Sequence, residues 1–399
     1  MYINSNSKIE KILGKLPVLQ NPKCIFDKQV ISFLDDISIA IKKSKLAFPY
    51  SDLKSFGFWC RKANLINISE NYPKKNLMLG RGIVLHITPS NVPLNFAYSF
   101  AFGMLSGNSN IVRLPSRNFT QVNILCRIIY MILKISKYTS LLDKFCFIKY
   151  DKSDDISSQL SKEVDARLIW GGDETINQFK KYQTSPRCVD LTFSNRYSIS
   201  IIDTNEIAKL RLKELKNLAQ KFYNDCYLMD QQGCSSPQAL FWVGNNNTLA
   251  KKKFWNVLSK IVHLKYGSDL SVANQKITSL SRVAVTSKTN FKTNNKDLKL
   301  LRLNININNA SSDIEKIQCH FGTFAEMHIG KIDRLKKIIS KRFQTITYYG
   351  LERKKLNDFI LRNGITGVDR IVPVGRAFDI GPIWDGYDII HSLSRIISK

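Results

Sequence analysis

Four short apolar runs, separated by stretches with helical spacing, limit what this chain can fold into. Each is too short for a helix and is bounded by Pro, Gly, Ser or Asp, as is typical of a buried strand. A helical pattern, QVNILCRIIYMILKISK, lies between the second and third runs. Strands that alternate with helices predict βαβ units, a parallel sheet and ligands at the carboxyl ends of its strands. The four runs are GIVLHI (Gly82–Ile87), NIVRL (Asn110–Leu114), FCFIKY (Phe145–Tyr150) and ARLIW (Ala166–Trp170).

A second alternation begins at the amphipathic stretch Leu212–Met229, which predicts a helix. We then expect a strand at Ala239–Val243, a helix at Thr248–Leu264, a strand at Arg282–Thr286 and a polar loop at Ser287–Lys296. The fold class is therefore α/β, and 399 residues suit two lobes. The predicted divisions are a helical N-terminal segment at 1–75, a first α/β domain at 76–211 completed by 366–399, and a second α/β domain at 212–365.

The composition narrows the possible partners and the cellular location. The formal net charge is +28, but the Lys and Arg residues are scattered along the chain. We therefore expect no specific nucleic-acid binding and a basic surface suited to phosphate-bearing ligands or an acidic protein.

The first fifteen residues lack the apolar segment of a signal peptide, and the apolar run Val92–Leu105 is too short to span a bilayer. These features predict a soluble cytoplasmic protein with no membrane span.

The eight cysteines form no CxxC pair, and the five histidines form no HExxH motif. No metal site and no disulfide framework is predicted, so the thiols are expected to be free.

Cys234 differs from the other cysteines by its context. It lies between a predicted helix and a predicted strand, after Gly233 and before two serines, which indicates a turn. A thiol in such a turn can ionise and act as a nucleophile, whereas Cys126, Cys146 and Cys226 lie in apolar stripes and are expected to fill the core. A cysteine–histidine dyad of the hydrolase kind stays open, because no sequence feature pairs a particular His with Cys234.

Three loops follow predicted strands of the first lobe: TPSNVPL, PSR and GGDETI. In the third, Gly171 and Gly172 allow close backbone approach, and the helix that follows would offer free N–H groups to a phosphate. An ordinary βα turn with Asp173 as N-cap explains the same residues. No GxGxxG fingerprint is present, so a conventional Rossmann dehydrogenase is not supported.

Taken together, four segments resemble the aldehyde dehydrogenase superfamily, and more closely its acyl-CoA reductase branch, the LuxC-type fatty acid reductases of bacterial luminescence. The resemblance implies an aldehyde dehydrogenase-like fold with two Rossmann-like α/β lobes, of which 76–211 would bind the cofactor and 212–365 would be catalytic. The segments are Arg81–Asn118, Asp165–Ile176, Asp230–Gln238 and Gly367–Ile389.

The resemblance also implies roles for individual residues. Cys234 matches the nucleophile and Gln232 the glutamine of the family's nucleophile motif. The amide of Asn91, with the backbone N–H of Cys234, would hold the thioester oxygen. The implied cofactor is NADPH, with NADH possible, and the residues implied to bind it are Pro89, Arg113, Ser116, Gly171, Gly172 and Glu174.

Three departures from the family pattern refine this expectation. Thr192 stands where hydrolytic members carry the Glu that activates water, so an acyl-enzyme would persist until hydride arrives. CHFG (Cys319–Gly322) replaces a Glu-Ile-Phe-Gly sequence whose Glu contacts the nicotinamide ribose. Leu114 replaces a ribose-binding Lys, and we expect Arg113 or Arg117 to bind an adenosine phosphate, which favours NADPH.

The expected reaction is NADPH-dependent reduction of a long-chain fatty acyl thioester to the aldehyde. The acyl donor would be a fatty acyl-CoA or a partner acyl-protein synthetase, and the protein would form a homo-oligomer. Three alternatives stay open at this point: another acylating reductase for short acyl-CoA or acyl carrier protein, a non-catalytic basic binding protein on the same fold, and a cysteine hydrolase.

Overall fold

The computed structural model describes residues 9–73, 75–267, 270–286, 291–293, 297–305, 312–318 and 320–398. Within these ranges, no helix combines the length and the apolar character needed to cross a bilayer.

The strands are β1 Glu10–Gly14, β2 Met78–Gly80, β3 Ile83–Ile87, β4 Ser109–Arg113, β5 Phe145–Lys149, β6 Ala166–Trp170, β7 Val189–Phe193, β8 Tyr197–Asp203, β9 Pro237–Val243, β10 Phe291–Thr293, β11 Leu301–Ile305, β12 Thr323–Gly330, β13 Phe343–Tyr349, β14 Arg370–Pro373, β15 Ile383–Trp384, β16 Tyr387–Asp388 and β17 Ser394–Ile396. The helices are α1 Lys28–Lys43, α2 Ser51–Trp59, α3 Lys62–Glu70, α4 Asn95–Leu105, α5 Thr120–Leu133, α6 Asp154–Lys162, α7 Asp173–Lys180, α8 Thr204–Lys209, α9 Leu212–Tyr227, α10 Thr248–Lys265, α11 Leu270–Thr286, α12 Arg353–Asn363 and α13 Ile389–Ser392.

The described chain forms two compact units. The first runs to Ser194 and takes in the residues from Pro382 onward, and the second is Asn195–Gly381. The division thus falls before β8 and not at 211/212, because β8 pairs with β9 and β13 in the sheet of the second unit. The returning segment begins at Pro382 and not at 366, because β14 pairs with β13.

The first unit is built on a six-stranded sheet of order β1-β5-β4-β3-β6-β7, in which all pairs except β1 with β5 are parallel. The chain runs outward in one direction from β3 to β5 and then returns to place β6 on the other side of β3. The strand order therefore reverses between β3 and β6, which is where doubly wound sheets bind ligands. The prediction that the first 75 residues are helical is met by α1, α2 and α3, but it missed β1, whose edge pairing with β5 no local pattern signals.

Arg167 ties three elements of this unit together. On β6, its guanidinium donates to both carboxylate oxygens of Asp190 on β7, at 2.7 and 2.5 Å. It also donates to the Ser161 hydroxyl at the end of α6 and to the Phe179 carbonyl in α7. The Arg167 side chain is only 3% exposed, so its charge depends on these partners.

The second unit is built on a seven-stranded sheet of order β10-β11-β12-β9-β8-β13-β14, parallel except for β10 with β11. Helices α9 and α10 cover one face with an aromatic-rich core that includes Phe222, Phe254 and Trp255. The amino ends of β8, β9, β12, β13 and β14 share one edge, because the strands are parallel. The turn that carries Cys234 precedes β9 and so lies at this amino edge, unlike the ligand loops predicted for carboxyl ends.

Two predicted elements of the second half differ in the structure. Arg282–Thr286, predicted as a strand, is the end of α11. Buried Lys276 and Val283 continue a helical stripe there while Val285 is 86% exposed, so a short β-branched run was mistaken for a strand. Of the predicted loop Ser287–Lys296, Phe291–Thr293 forms β10, and the rest lies outside the described residues.

Replacing Arg167 by Met should lower the free energy of unfolding by about 3 kcal/mol, because it leaves the Asp190 carboxylate and the Phe179 carbonyl without their cation. Urea unfolding followed by circular dichroism measures the change. Arg211→Met is the matched control, since Arg211 forms an exposed pair with Glu214 and its loss should matter little. Equal losses in the two variants would contradict this account of Arg167.

Candidate active site

Three predicted ligand loops of the first unit meet at one edge of its sheet. They follow β3, β4 and β6, which are neighbours in the order β4-β3-β6, so their carboxyl ends lie side by side. The Thr88 hydroxyl donates to the Arg113 carbonyl at 2.7 Å and links the first loop to the second. Pro89 is half-buried and Asn91 is exposed on the loop after β3. The loops after β3 and β6 flank the point where the strand order reverses.

The turn after β6 leaves helix α7 without a side-chain cap. The N-cap is Gly172, which has no side chain to cap the helix. Asp173, the alternative cap considered from the sequence, is instead the first helical residue. The first N–H groups of α7 therefore lack a side-chain cap partner and can bind an anion. Asp173 and Glu174 add negative charge to the first turn, so an anion would have to be held mainly by backbone N–H groups at Gly171 and Gly172.

The predicted phosphate-binding residues at the end of β4 and in the loop after it differ in how firmly neighbouring groups hold their side chains. The Arg113 guanidinium stacks over the Tyr150 ring at 4.2 Å and donates to the Tyr150 carbonyl at 3.2 Å. Ser116 and Arg117 are exposed, and Arg117 lies 5.3 Å from the centre of the Phe119 ring. Arg113 is thus held in place beside the sheet edge, while Arg117 extends from the loop toward solvent.

Cys234 lies in the short turn between α9 and β9. The Ser198 hydroxyl, on the neighbouring strand β8, donates to the Cys234 carbonyl at 2.6 Å and fixes the backbone of the turn. Cys234 as a residue is partly exposed. By contrast, Cys126, Cys146 and Cys226 are buried as predicted; burial raises the pKa of Cys126 and of Cys146 to about 12 and that of Cys226 well above its usual value. Burial thus disfavours the thiolate in these core cysteines.

Gln231, three residues before Cys234, anchors the turn and was missed in the sequence. Its side chain is fully buried, and the amide oxygen accepts N–H bonds from Gly322 and Thr323 at 2.7 and 3.0 Å. The amide nitrogen donates to the Pro237 and Thr323 carbonyls at 2.9 and 3.2 Å. Every hydrogen-bonding capacity of the side chain is used. Gln232, the family-matched glutamine, is the less buried of the pair.

Two turns with left-handed backbone face each other across this anchor. Asp230 and Gln231 have φ angles of 52° and 57°, and His320 and Phe321 have φ angles of 56° and 49°. The Phe321 N–H donates to the Asp230 carbonyl at 3.0 Å, and His320 Nδ1 donates to the Gln231 carbonyl at 2.9 Å. Such conformations cost roughly 1–3 kcal/mol each and concentrate at functional sites. Burial lowers the pKa of His320, so its ring is neutral while it holds the turn.

Two side chains from the first residues of β13 and β14, further along the same sheet, interact with Cys234. Gln344 on β13 donates from Nε2 to the Cys234 sulfur at 3.3 Å. Burial lowers the pKa of Arg370 on β14, and the nearby charges of Asp379, Asp225 and Cys234 act in the opposite direction. Gln344 lies 110 residues after Cys234 in the chain, and Arg370 lies further still. No local sequence pattern could therefore have predicted that either residue is near the thiol.

The carboxylate of Asp225 holds the loop that follows β14. It accepts the Gly375 N–H at 2.6 Å and the Ala377 N–H at 2.9 Å. This loop carries Phe378, whose ring lies so close to Gly233 that a Cβ there would meet it at 2.7 Å. The loop after β14 is therefore packed directly against the residue before Cys234, and a side chain at Gly233 would displace the Phe378 ring. Burial raises the pKa of Asp225 to about 7.

The family model for LuxC, acyl-CoA reductase, matches residues 61–397. A long-chain acyl-protein thioester reductase of Aliivibrio fischeri is 24% identical over 330 residues, or 80% of this chain and 64% of that protein. One from Vibrio harveyi is 26% identical over 329 residues, with the same shares. This chain thus aligns with a little under two thirds of the length of these curated relatives.

Solved structures with the same fold include aldehyde dehydrogenases. An indole-3-acetaldehyde dehydrogenase in complex with NAD+ aligns with a TM-score of 0.65 at 10% identity, over 93% of this chain and 83% of that one. A 1-pyrroline-5-carboxylate dehydrogenase of Thermus thermophilus aligns with a TM-score of 0.63 at 10% identity, over 93% and 80%. The predicted α/β fold of the aldehyde dehydrogenase type is confirmed.

Asp225 predicts a specific pH dependence of stability. Its pKa is higher in the folded protein than in an unfolded chain, so its contribution to the free energy of unfolding is fully present below about pH 4 and is lost as the pH rises through about 7. Asp225→Asn should remove this component. Urea unfolding at pH 5 and at pH 8 should show that the variant loses less stability between the two pH values than the wild type. Parallel losses would rule Asp225 out as the source.

Proposed function

Because this chain belongs to the LuxC family of acyl-CoA reductases, we propose that it reduces a fatty acyl thioester to the aldehyde through an acyl group carried on Cys234. The observation that carries the proposal is the setting of the Cys234 sulfur. Cys234 is a partly exposed residue, its sulfur accepts a hydrogen bond from Gln344, and its turn is fixed by Ser198 and Gln231. A reactive thiol needs this combination of access, rigid placement and donors.

In the proposed first step, the Cys234 thiolate attacks the carbonyl carbon of the thioester. A carbon–sulfur bond to Cys234 forms, and the bond to the leaving thiol breaks after collapse of the tetrahedral intermediate. By family resemblance, the amide of Asn91 and the Cys234 N–H donate to the oxyanion of that intermediate. The product of this step is a thioester on Cys234.

The described residues of the first unit fit a dinucleotide. Its sheet reverses strand order between β3 and β6, and Gly172 begins α7 without a side-chain cap. The residues that would hold NADPH are Pro89, Arg113, Ser116, Gly171, Gly172 and Glu174, with NADH as the other candidate. When bound, the nicotinamide would supply the hydride that reduces the Cys234 thioester.

The chain's own residues also favour preserving the acyl group against water. By the family resemblance, Thr192 on β7 stands where hydrolytic members of the superfamily carry a carboxylate base, and a neutral hydroxyl is a poor general base. In the second unit, the Asp225 carboxylate is occupied by two backbone N–H groups, and Asp230 accepts a hydrogen bond from Tyr266. These contacts support a reductase over a cysteine hydrolase.

The acyl donor is proposed as a long-chain fatty acyl group on CoA or on a partner acyl-protein synthetase. The curated relatives are named as long-chain acyl-protein thioester reductases, which supports the second donor. A reductase for short acyl-CoA or acyl carrier protein is the alternative within the same chemistry, and comparing chain lengths distinguishes the two. We further propose that the protein works as a homo-oligomer.

The proposal predicts an acyl-enzyme that depends on Cys234. Wild type incubated with myristoyl-CoA and no cofactor should gain the mass of one acyl group, and Cys234→Ala should not. Added NADPH should then discharge the acyl group as aldehyde, faster than NADH does. Intact-mass spectrometry and aldehyde trapping measure both steps, and Cys24→Ala, which removes an exposed cysteine of the first unit, is the control.

Other outcomes identify the alternatives. Acylation followed by release of fatty acid without cofactor indicates a hydrolase. A protein that is acylated neither by myristoyl-CoA nor by acyl-protein donors and does not respond to cofactors is not a reductase. If that protein also binds RNA in a salt-sensitive way, it is a binding protein.

Asn91→Ala tests the oxyanion assignment. Loss of one oxyanion donor should lower the acylation rate by roughly 10²- to 10³-fold, with little change in substrate affinity, because the donor acts mainly on the developing charge. Single-turnover acylation kinetics with myristoyl-CoA measure both quantities. A variant with the wild-type rate would remove Asn91 from the mechanism.

A further inference from the structure

The amide of Gln344 lies beside the candidate nucleophile in a rigid setting. Gln344 is the second residue of β13, the residue is 1% exposed, and Nε2 lies 3.3 Å from the Cys234 sulfur. Strand β13 is paired on both sides, with β8 and with β14. A side chain on a doubly paired buried strand has little freedom to turn away, so the amide is held at the sulfur.

The orientation of this amide is also fixed. The Thr345 hydroxyl donates to Oε1 of Gln344 at 3.2 Å. An amide that accepts at its oxygen presents its N–H groups on the other side, toward the sulfur. A sulfur that receives an N–H bond is stabilised more as a thiolate than as a thiol, because the anion is the stronger acceptor.

Arg370 supplies positive charge at the same edge of the sheet. Its guanidinium donates to the carbonyl oxygens of Ala377, Arg376 and Asp379 at 2.5, 2.9 and 2.6 Å. Carbonyl oxygens fix a guanidinium without cancelling its charge. The guanidinium lies within electrostatic range of Asp379, Asp225 and Cys234, so part of its charge acts on the Cys234 sulfur.

We propose that Gln344 and Arg370 hold the Cys234 sulfur as a thiolate, Gln344 through its N–H bond and Arg370 through its charge. This inference rests on the proposed role of Cys234 as nucleophile. Other charged or titratable groups of the surroundings are Asp225 on α9, Asp379 and Arg376 on the loop after β14, and His320 before β12. Negative charge on the two carboxylates would oppose ionisation of the thiol, so the Gln344 hydrogen bond and the Arg370 charge must together outweigh it.

The pH dependence of Cys234 alkylation tests this proposal without substrate or cofactor. The thiolate displaces iodide from iodoacetamide, so the rate follows the ionised fraction. The experiment measures carboxamidomethylation of the Cys234 peptide by mass spectrometry in the full chain, from pH 5 to pH 10. Because no acyl donor is present, the result is independent of whether the protein proves to be an acyl reductase.

Gln344→Leu removes the donor at similar size, and Gln344→Glu places a carboxylate at the sulfur. The alkylation midpoint should rise by about one pH unit in the first variant and further in the second, with a roughly tenfold lower rate at pH 7. Unchanged midpoints in both variants, with native far-UV circular dichroism, would overturn the role of Gln344.

Two threonines on β13 provide a matched pair should the Gln344 variants fail to fold. Thr345→Val removes the hydrogen bond to the Gln344 amide oxygen and should shift the midpoint in the same direction by a smaller amount. Thr347→Val makes the same change two residues further along, where the buried hydroxyl has no hydrogen-bond partner in the described part of the chain, and should leave the midpoint unchanged. Equal behaviour of the two variants would contradict the proposal.

Arg370 is tested by comparing Lys with Gln at that position. Both variants lose part of the carbonyl contacts, but only Arg370→Gln loses the charge. The midpoint should therefore be higher in Arg370→Gln than in Arg370→Lys. If the two variants coincide, the charge of Arg370 does not act on Cys234.

Discussion

The buried amide of Gln231 is the contact on which the candidate catalytic turn depends. Its oxygen and nitrogen bind the backbone at the start of β12 and the carbonyl of Pro237 at the start of β9. The turn between Gln231 and Pro237 is therefore held at both ends against the sheet. The left-handed turns at Asp230–Gln231 and at His320–Phe321 are unfavourable in isolation. The hydrogen bonds between these two turns stabilise the arrangement. Cys234 occupies the centre of the segment so constrained.

The two units use opposite edges of their parallel sheets. In the first, the loops after β3, β4 and β6 gather at the carboxyl edge, where strand order reverses and helix α7 begins. In the second, the thiol lies at the amino edge, together with Gln344 and Arg370 from the starts of β13 and β14. Carboxyl edges suit anions because helices begin there with free N–H groups. An amino edge instead collects side chains from the first residues of several strands, and these can surround a reacting group.

Several features could be predicted because their causes are local. The alternation of short apolar runs with helical patterns predicted parallel α/β lobes, and the small residues around Cys234 indicated a turn. Core cysteines were recognised by their apolar stripes. The failures have equally local causes: β1 is stabilised by pairing with β5 and not by its own pattern, and Arg282–Thr286 is too short and too β-branched for its helical continuation from α11 to be recognised.

The sequence by itself determined the alternation of strands and helices in each half, the thiol in its turn of small residues and the glycines after β6, since each depends on residues adjacent in the chain. Only the tertiary structure decided what surrounds that thiol. Gln344 lies 110 residues from Cys234, and Asp225 lies 150 residues from Gly375. Parallel strands joined by helices bring together chain segments separated by whole βαβ units, so contacts along a sheet edge follow strand order and not sequence proximity.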